Sequence, residues 1–260
     1  MASAIIGGLL AKGFAASQFH VVEVNDQRRC ELQSTLGVAA AAEVDAELTA
    51  CEVVVLAVKP QHMHVAAQSL VAHLAKQLVI SIAAGICLAD LSRWLKGYQN
   101  LVRVMPNTPA LIHAGITGMY ALPSVNKAQR QCAATLLEAV GETVWVDSES
   151  LLDSVTAVSG SGPAYVFYFI EALQQAAQEL GLTPEQGRKL ALQTFLGASK
   201  LAAQSELSPA TLRAQVTSKG GTTERALSVM DEARLQVQFV AAIKAAAVRS
   251  KELGAEFGKD

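Results

Sequence analysis

The stretch Val216-Thr-Ser-Lys-Gly-Gly-Thr-Thr-Glu-Arg-Ala-Leu-Ser-Val-Met-Asp231 runs from small polar residues into paired glycines and two threonines. Apolar residues then follow at helical spacing: Ala226, Leu227 and Met230. This order predicts a loop that feeds the N-terminus of a helix. Gly220 and Gly221 lack Cβ, so the loop can adopt φ > 0 and bring its N–H groups close to a ligand. Free N–H groups and the positive end of the helix dipole favour an anion there. Ser218, Thr222 and Thr223 add hydroxyls that can donate to a carboxylate or to a ring nitrogen. Taken alone, the segment reads equally well as a glycine turn with an ordinary helix cap.

From about Glu149 onward the pattern is helical only. Ser159-Gly-Ser-Gly-Pro163 reads as a hinge into a helix from Ala164 to Leu180, with Pro163 suited to its first turn. That helix carries Tyr165, Phe167, Tyr168, Phe169, Ile170 and Leu173, apolar on nearly every side, and must be surrounded. Gly181 stops it, and Thr183-Pro-Glu-Gln starts the next as a capping box. Further helices are expected at 184–204, 209–216, 222–231 and 234–253.

The first half has a different rhythm. Three apolar, β-rich runs, His20–Asn25, Glu52–Val58 and Gln77–Ile82, alternate with helical stretches at 2–12, 27–36 and 63–75. Strands at 102–105, 116–121 and 143–146 continue the series, the last after a helix at 127–140. Near-continuous apolar strands alternating with helices indicate a parallel sheet covered on both faces. The expected architecture is therefore α/β: a Rossmann-type parallel sheet domain over residues 1–149, then an all-helical domain over 150–260.

Four motifs in order, Ala57-Val-Lys-Pro60, Arg103-Val-Met-Pro-Asn-Thr-Pro109, Ser159-Gly-Ser-Gly-Pro-Ala-Tyr165 and the Val216–Asp231 stretch, resemble those of the pyrroline-5-carboxylate reductases, which make proline. The resemblance covers the chain from its first residue to about Asp231. It implies an NAD(P)H-dependent imine reductase with a dinucleotide-binding domain and a helical dimerisation domain that forms an interlocked homodimer, or a higher oligomer of dimers. It also places Ala57, Val58, Lys59 and Pro60 on the cofactor.

A Rossmann unit starts with a strand and a G-x-G-x-x-G turn, and the chain opens instead on what resembles the following helix. In the family this turn ends in Met-Ala, which matches only Met1 and Ala2. The first, central strand and its phosphate loop, about ten residues, are thus expected to be missing. The strands at 20–25 and 52–58 should then show unpaired inner edges. Met1 remains the candidate for the pyrophosphate end.

The tip of the His20–Asn25 strand should face the adenosine ribose. Asn25, Arg28 and Arg29 there favour the 2′-phosphate of NADP over the bare hydroxyl of NAD, although Glu23 and Asp26 lie alongside and NAD stays open. Lys59, ending an apolar strand, faces the crevice where open α/β sheets bind ligands, whereas Pro60 by itself is a plain strand terminator. Ile82, Ala83 and Ala84 end the next strand with small residues that admit a flat nicotinamide ring. Asn107, between two prolines, can orient its carboxamide. Turn-making is the alternative reading of both stretches. Adding hydride to a cyclic imine needs placement and polarisation rather than a nucleophile or a metal. The loop Ser218–Thr223 would hold the substrate carboxylate, and the Thr223 hydroxyl would act on the ring nitrogen as the catalytic group. Lys219 stands where the family often has proline.

Composition narrows the classes. Charged residues are 17%, hydrophobic residues 51% and the net charge is −2, which gives no electrostatic case for nucleic acid or anionic membranes. No uninterrupted apolar run reaches the ~18–20 residues of a membrane span. The start lacks the basic region of a secretory signal. Cys30, Cys51, Cys87 and Cys132 are widely spaced and read as reduced thiols in a cytoplasmic protein. His62 and His64, two apart on a helix, point to different sides, so no metal site is expected. Two competing readings remain. A 3-hydroxyacid dehydrogenase usually carries a proton-transferring lysine at the start of the long interdomain helix, and residues 159–172 contain none. A non-catalytic dinucleotide-binding protein is supported only by the absent phosphate loop.

Overall fold

The computed structural model describes residues 1–259; residue 260, the last of the expected second domain, lies outside them. The chain forms two compact units. One comprises Met1–Ser161 together with residues 246–259, and the other Gly162–Ala245.

The first unit alternates strands and helices. These are α1 (Ala2–Ala11), β1 (Val21–Val22), α2 (Asp26–Leu36), β2 (Ala40–Ala41), β3 (Val53–Leu56), α3 (Met63–Leu70), β4 (Leu78–Ser81), α4 (Leu88–Trp94), β5 (Leu101–Met105), β6 (Gly115–Ala121), α5 (Lys127–Leu137) and β7 (Gly141–Trp145). The short helix α6 (Leu151–Val155) closes the run. Strands β3 to β7 form one sheet in chain order, while β1 pairs only with β2. Among the described residues β1 and β3 share no ladder, so each has the unpaired edge expected of it. Val24 is 81% exposed beside one edge, and Val55 and Val58 are exposed beside the other.

Alternation along the strands builds a core on each face. Leu78, Ile80, Val102 and Val104 point into one cluster with Ile5 and Leu9 of α1 and Leu137 of α5. Val79 and Leu101 point into the other with Met63, Leu88 and Leu91. Gly8 lets α1 approach this closely, because any Cβ there would collide with the Ala139 carbonyl.

One expectation about the sheet is corrected. It is not wholly parallel, since β6 runs antiparallel to β5 (Val102 opposite Ala121, Met105 opposite Gly118). Residues 106–114 are too few for the crossover a parallel partner needs. β2, α4 and α6 are also absent from the sequence reading. The two-residue β2 has no run long enough to show a period, and α4 and α6 are single or double turns.

The expected hinge at Ser159–Pro163 falls where the two units part, after Ser161, and the segment leading into it is helical. After α6 the chain enters a π-helical segment, Thr156–Gly160, where the Ser161 N–H reaches the Thr156 carbonyl at 2.8 Å, and α7 (Gly162–Glu179) follows. The hydroxyls of Thr156 and Ser159 bond back to the carbonyls of Leu152 and Val155, which loosens the regular ladder. Gly160 lies against Met105, whose Cε would stand 2.6 Å from an added Cβ.

The second unit contains α7, α8 (Pro184–Gln204), α9 (Pro209–Gln215), α10 (Thr222–Glu232) and the first half of α11 (Leu235–Phe257). Thr183 and Gln186 form the expected capping box of α8. Phe239 meets Tyr165 and Phe169 edge-on, with ring centroids 5.8 and 5.5 Å away. Phe167, Tyr168, Leu190, Leu196 and Leu201 are left exposed. No described helix is long and apolar enough to cross a membrane.

Glu149 ties the sheet to its covering helices. Its Oε1 accepts from Arg103 at 3.0 Å and from the Leu88 N–H, at the start of α4, at 2.7 Å. The Arg103 side chain is only 8% exposed. Losing one partner of a buried pair leaves an uncompensated charge. Glu149→Ala is therefore expected to lower unfolding stability in urea by about 3 kcal/mol, and Arg103→Met combined with Glu149→Ala by less than Glu149→Ala alone.

Candidate functional site

The parallel strands β3 and β4 end side by side, and β5 ends beside β4. Their C-terminal ends bring Ala57–Pro60, Ile82–Ala84 and Pro106–Asn107 to one edge of the sheet. Val58 and Lys59 are exposed there, and Pro60 opens a 3₁₀ turn (Pro60–His62) capped by Lys59. The Ile82 N–H reaches the Leu56 carbonyl at 3.2 Å, which joins the first two segments. Ala83 is buried, Ala84 is partly open, and Gly85 turns the chain with φ +77°.

Asn107 has a different job from the one expected. It is 9% exposed, its Oδ1 accepts from the Ile116 N–H at 3.0 Å, and its Nδ2 donates to the Ser159 carbonyl at 3.2 Å. In a regular helix that carbonyl would accept from residue 163, but Pro163 has no N–H. Asn107 supplies the missing donor. The Met-Pro-Asn-Thr-Pro and Ser-Gly-Ser-Gly-Pro motifs are therefore two halves of one structural joint, and the amide is largely spent on it.

At the end of β1 the candidates separate. The Asn25 side chain caps α2 by accepting from the Arg28 N–H at 3.0 Å. Arg29 donates to the Glu23 carbonyl at 2.7 Å and pairs with Asp26. Only Arg28 extends into solvent as a cation with no partner among the described residues. Met1 is the N-cap of α1 and packs on the first core cluster. The N–H groups of Ala2 and Ser3 begin that helix without intrahelical acceptors.

In the other unit, Gly221 caps α10 and Gly220 takes φ +73°. A Cβ on Gly221 would stand 2.7 Å from Ser218 Oγ and 3.0 Å from the Ser218 carbonyl oxygen, so the Ser218 side chain would have to move for any larger residue. Among the described residues the hydroxyls of Ser218, Thr222 and Thr223 have no protein partner. The N–H groups of Thr222 and Thr223 open the helix and lack intrahelical acceptors. The Gly220 N–H is an exception, because it donates to Glu224 Oε2 at 2.6 Å. Sequence reasoning missed Glu224; its place four residues on, in the first turn of the helix, was the available signal. Lys219 is exposed.

One cluster of metal-binding side-chain types went unnoticed in the sequence. His20 lies between Asp45 (Nε2 to Oδ1, 3.1 Å) and Glu47 (Nδ1 to Oε2, 3.1 Å). The two carboxylates face opposite ring nitrogens. His64 stacks on Trp94 at 5.1 Å, well away from any such role. The cysteines form no disulfide, and burial pushes the thiols of Cys51, Cys87 and Cys132 up.

Residues 149–253 match the pyrroline-5-carboxylate reductase dimerisation family, and residues 1–85 match the family described as NADP oxidoreductase, coenzyme F420-dependent. A pyrroline-5-carboxylate reductase of Pseudomonas aeruginosa is 43% identical across 100% of this chain and 95% of its own length. The chain belongs to the pyrroline-5-carboxylate reductase family. The solved reductase of Coxiella burnetii, 40% identical, superposes with a TM-score of 0.91 over 97% of this chain and 94% of its own. The Plasmodium falciparum pyrroline carboxylate reductase, solved with NADP bound, gives 0.85 at 26% identity over 97% and 94%.

The joint made by Asn107 is testable apart from activity. Asn107→Ala removes partners from a backbone N–H and a carbonyl in a buried setting, each worth about 1–3 kcal/mol. A fall of that order in unfolding stability is expected, with a smaller loss for Asn107→Asp, which keeps the acceptor toward Ile116. Chemical denaturation of the purified variants provides the comparison.

Proposed function

We propose that this chain reduces 1-pyrroline-5-carboxylate to L-proline with NADPH, the last step of proline synthesis, as a cytoplasmic homodimer. The observation that carries the reading is the Ser218–Thr223 turn. In a member of this reductase family, it presents three unpartnered hydroxyls and the open N–H end of α10. Residues 1–149 belong to the cofactor domain and most of 150–260 to the substrate and dimerisation domain, while 150–161 and 246–259 pack with the first unit. The exposed apolar residues of α7 and α8 support burial against a second copy.

The residues fit a nicotinamide dinucleotide. Small side chains and a left-handed glycine at Ile82–Gly85 leave room for a flat ring, the start of α1 offers free N–H groups, and Arg28 is an uncommitted cation beside β1. When bound, the cofactor supplies the hydride. Lys59 and the backbone of Ala57–Pro60 line its crevice, and Arg28 takes the 2′-phosphate. In the loop, Ser218 and the N–H groups of Thr222 and Thr223 hold the substrate carboxylate, while Gly220 and Gly221 set the backbone shape. The Thr223 hydroxyl donates to the ring nitrogen, where negative charge builds as the C=N bond is reduced. Orientation does most of the work, for well-placed pairs gain roughly 7–11 kcal/mol of barrier that way.

Two measurements test this. Thr223→Ala is expected to lower kcat on pyrroline-5-carboxylate by roughly 10- to 1000-fold with little change in NADPH affinity. Wild-type turnover would leave Thr223 as part of a helix start. Arg28→Ala should cut the preference for NADPH over NADH by about tenfold, the scale of one charge-assisted hydrogen bond. Arg29→Ala should cut it less, because Asp26 and the Glu23 carbonyl already engage that side chain. Equal kcat/KM ratios in wild type and Arg28→Ala would remove Arg28 from the site.

A further inference from the structure

The turn after β4 is backed by the far end of the chain. Gly85 takes φ +77°, and an added Cβ would stand 3.1 Å from Phe257 Cδ2, 3.5 Å from the Leu253 carbonyl carbon and 3.6 Å from the Gly254 nitrogen. From the other side, a Cβ on Gly254 would stand 3.4 Å from the Gly85 oxygen. Two glycines thus let the last turns of α11 meet the turn backbone to backbone. The Phe257 ring packs on the core cluster that contains Val79, Ala83, Ile86 and Leu88, the residues flanking the turn.

That end of the helix is itself fastened. Arg93 donates to the Gly258 carbonyl at 2.8 Å and pairs with Asp90 at 2.8 Å. Ser250, 5% exposed, donates to Asp153 at 2.8 Å. The turn has few bonds of its own. Ile82 holds its start through the Leu56 carbonyl, and Glu149 receives the Leu88 N–H beyond it. One flank borders a cavity of about 190 Å³, lined by Ala84, Gly85, Thr156, Ser161, Arg249 and Leu253 among others. With space on that side and few hydrogen bonds within, the turn takes its position from what presses on it from behind.

We propose that the C-terminal end of α11 is the back support of the Ile82–Gly85 turn, and that Phe257 is a positioning residue for the nicotinamide ring. The proposal rests on the reading that this turn seats the cofactor. Phe257 touches the turn from the core side and acts only through it. Removing the ring lets Gly85 and Ala84 relax backward, and the cofactor's reactive carbon loses its fixed position.

The test uses full-length Phe257→Ala and Phe257→Leu, with Ala84→Leu as the control on the seat itself. In Phe257→Ala the KM for NADPH should rise and kcat fall, each by roughly tenfold, since displacements of about 1 Å are costly at this distance scale. The KM for pyrroline-5-carboxylate should stay unchanged, and Phe257→Leu should restore most of the loss. Deuterium at the transferred position of NADPH should give a larger isotope effect on kcat in Phe257→Ala than in wild type, because the transfer step has slowed. Should Phe257→Ala fail to fold, the same pattern in milder form is expected of Phe257→Leu. A lowered melting temperature with unchanged NADPH KM and isotope effect overturns the positioning role and leaves Phe257 as core packing. Ala84→Leu separates the two readings. If it weakens NADPH binding while the Phe257 variants do not, only this inference fails. If it too leaves NADPH binding untouched, the turn is not the seat and both fall.

Discussion

A carbonyl that a proline cannot serve is the constraint on which much of the first unit depends. Pro163 removes the N–H that Ser159 would meet in a regular helix, and the buried amide of Asn107 replaces it. The same side chain accepts from Ile116 and so fixes the start of the antiparallel strand β6. One amide therefore joins the exit of β5, the entry to β6 and the π-helical segment. An orphaned group at this depth costs more than the bond itself contributes, so the joint is specified by the penalty for breaking it. Gly160 and Gly118 serve the same joint sterically, since Met105 and Val155 occupy the space that their side chains would need.

With that joint in place, the ends of β3, β4 and β5 form one edge and the chain leaves them in three different ways. A proline-started 3₁₀ turn follows β3, a left-handed glycine follows β4, and a rigid Pro–Asn pair follows β5. Each exit is short and held at its base by the ladder or by a buried side chain. Apart from Lys59, such an edge presents backbone rather than long side chains, which suits a flat, polar ligand better than a bulky apolar one. Glu149 extends the same logic to the covering helix, because it satisfies the buried Arg103 and the free N–H of Leu88 with one carboxylate.

Much of this was legible in the residues, and the failures have physical causes. The long helices α8 and α10 and the strands β4 and β5 came out within a residue or two, because their apolar periods extend over several repeats. The strand β6 was expected but its antiparallel direction was not, because period-2 patterning carries no direction; only the short connection over 106–114 encodes it. Asn107 read as a ligand-facing amide because a sequence does not reveal which polar groups are orphaned across space. The arginines next to Asn25 looked equivalent for the same reason, until Asp26 and the Glu23 carbonyl engaged one of them. The unpaired edges of β1 and β3 were legible, since they follow from topology rather than from side-chain contacts.

The Ser218–Thr223 turn, the proposed substrate loop, keeps its donors available at low cost. Buried hydroxyls without partners would be expensive, but this loop is largely exposed and water satisfies them at little cost. Its shape must therefore come from the backbone, and two glycines provide it, one left-handed and one packed against Ser218. Glu224 then satisfies the Gly220 N–H from within. That internal carboxylate does two things at once. It braces the turn, and it places a negative charge beside the donors that remain at the start of α10. On the proposed reading, a substrate carboxylate would meet Ser218 and the N–H groups of Thr222 and Thr223, because the Gly220 N–H is already engaged. The hydroxyl of Thr223 stands next to those groups in the chain, so the residue proposed as catalytic adjoins those proposed to hold the substrate.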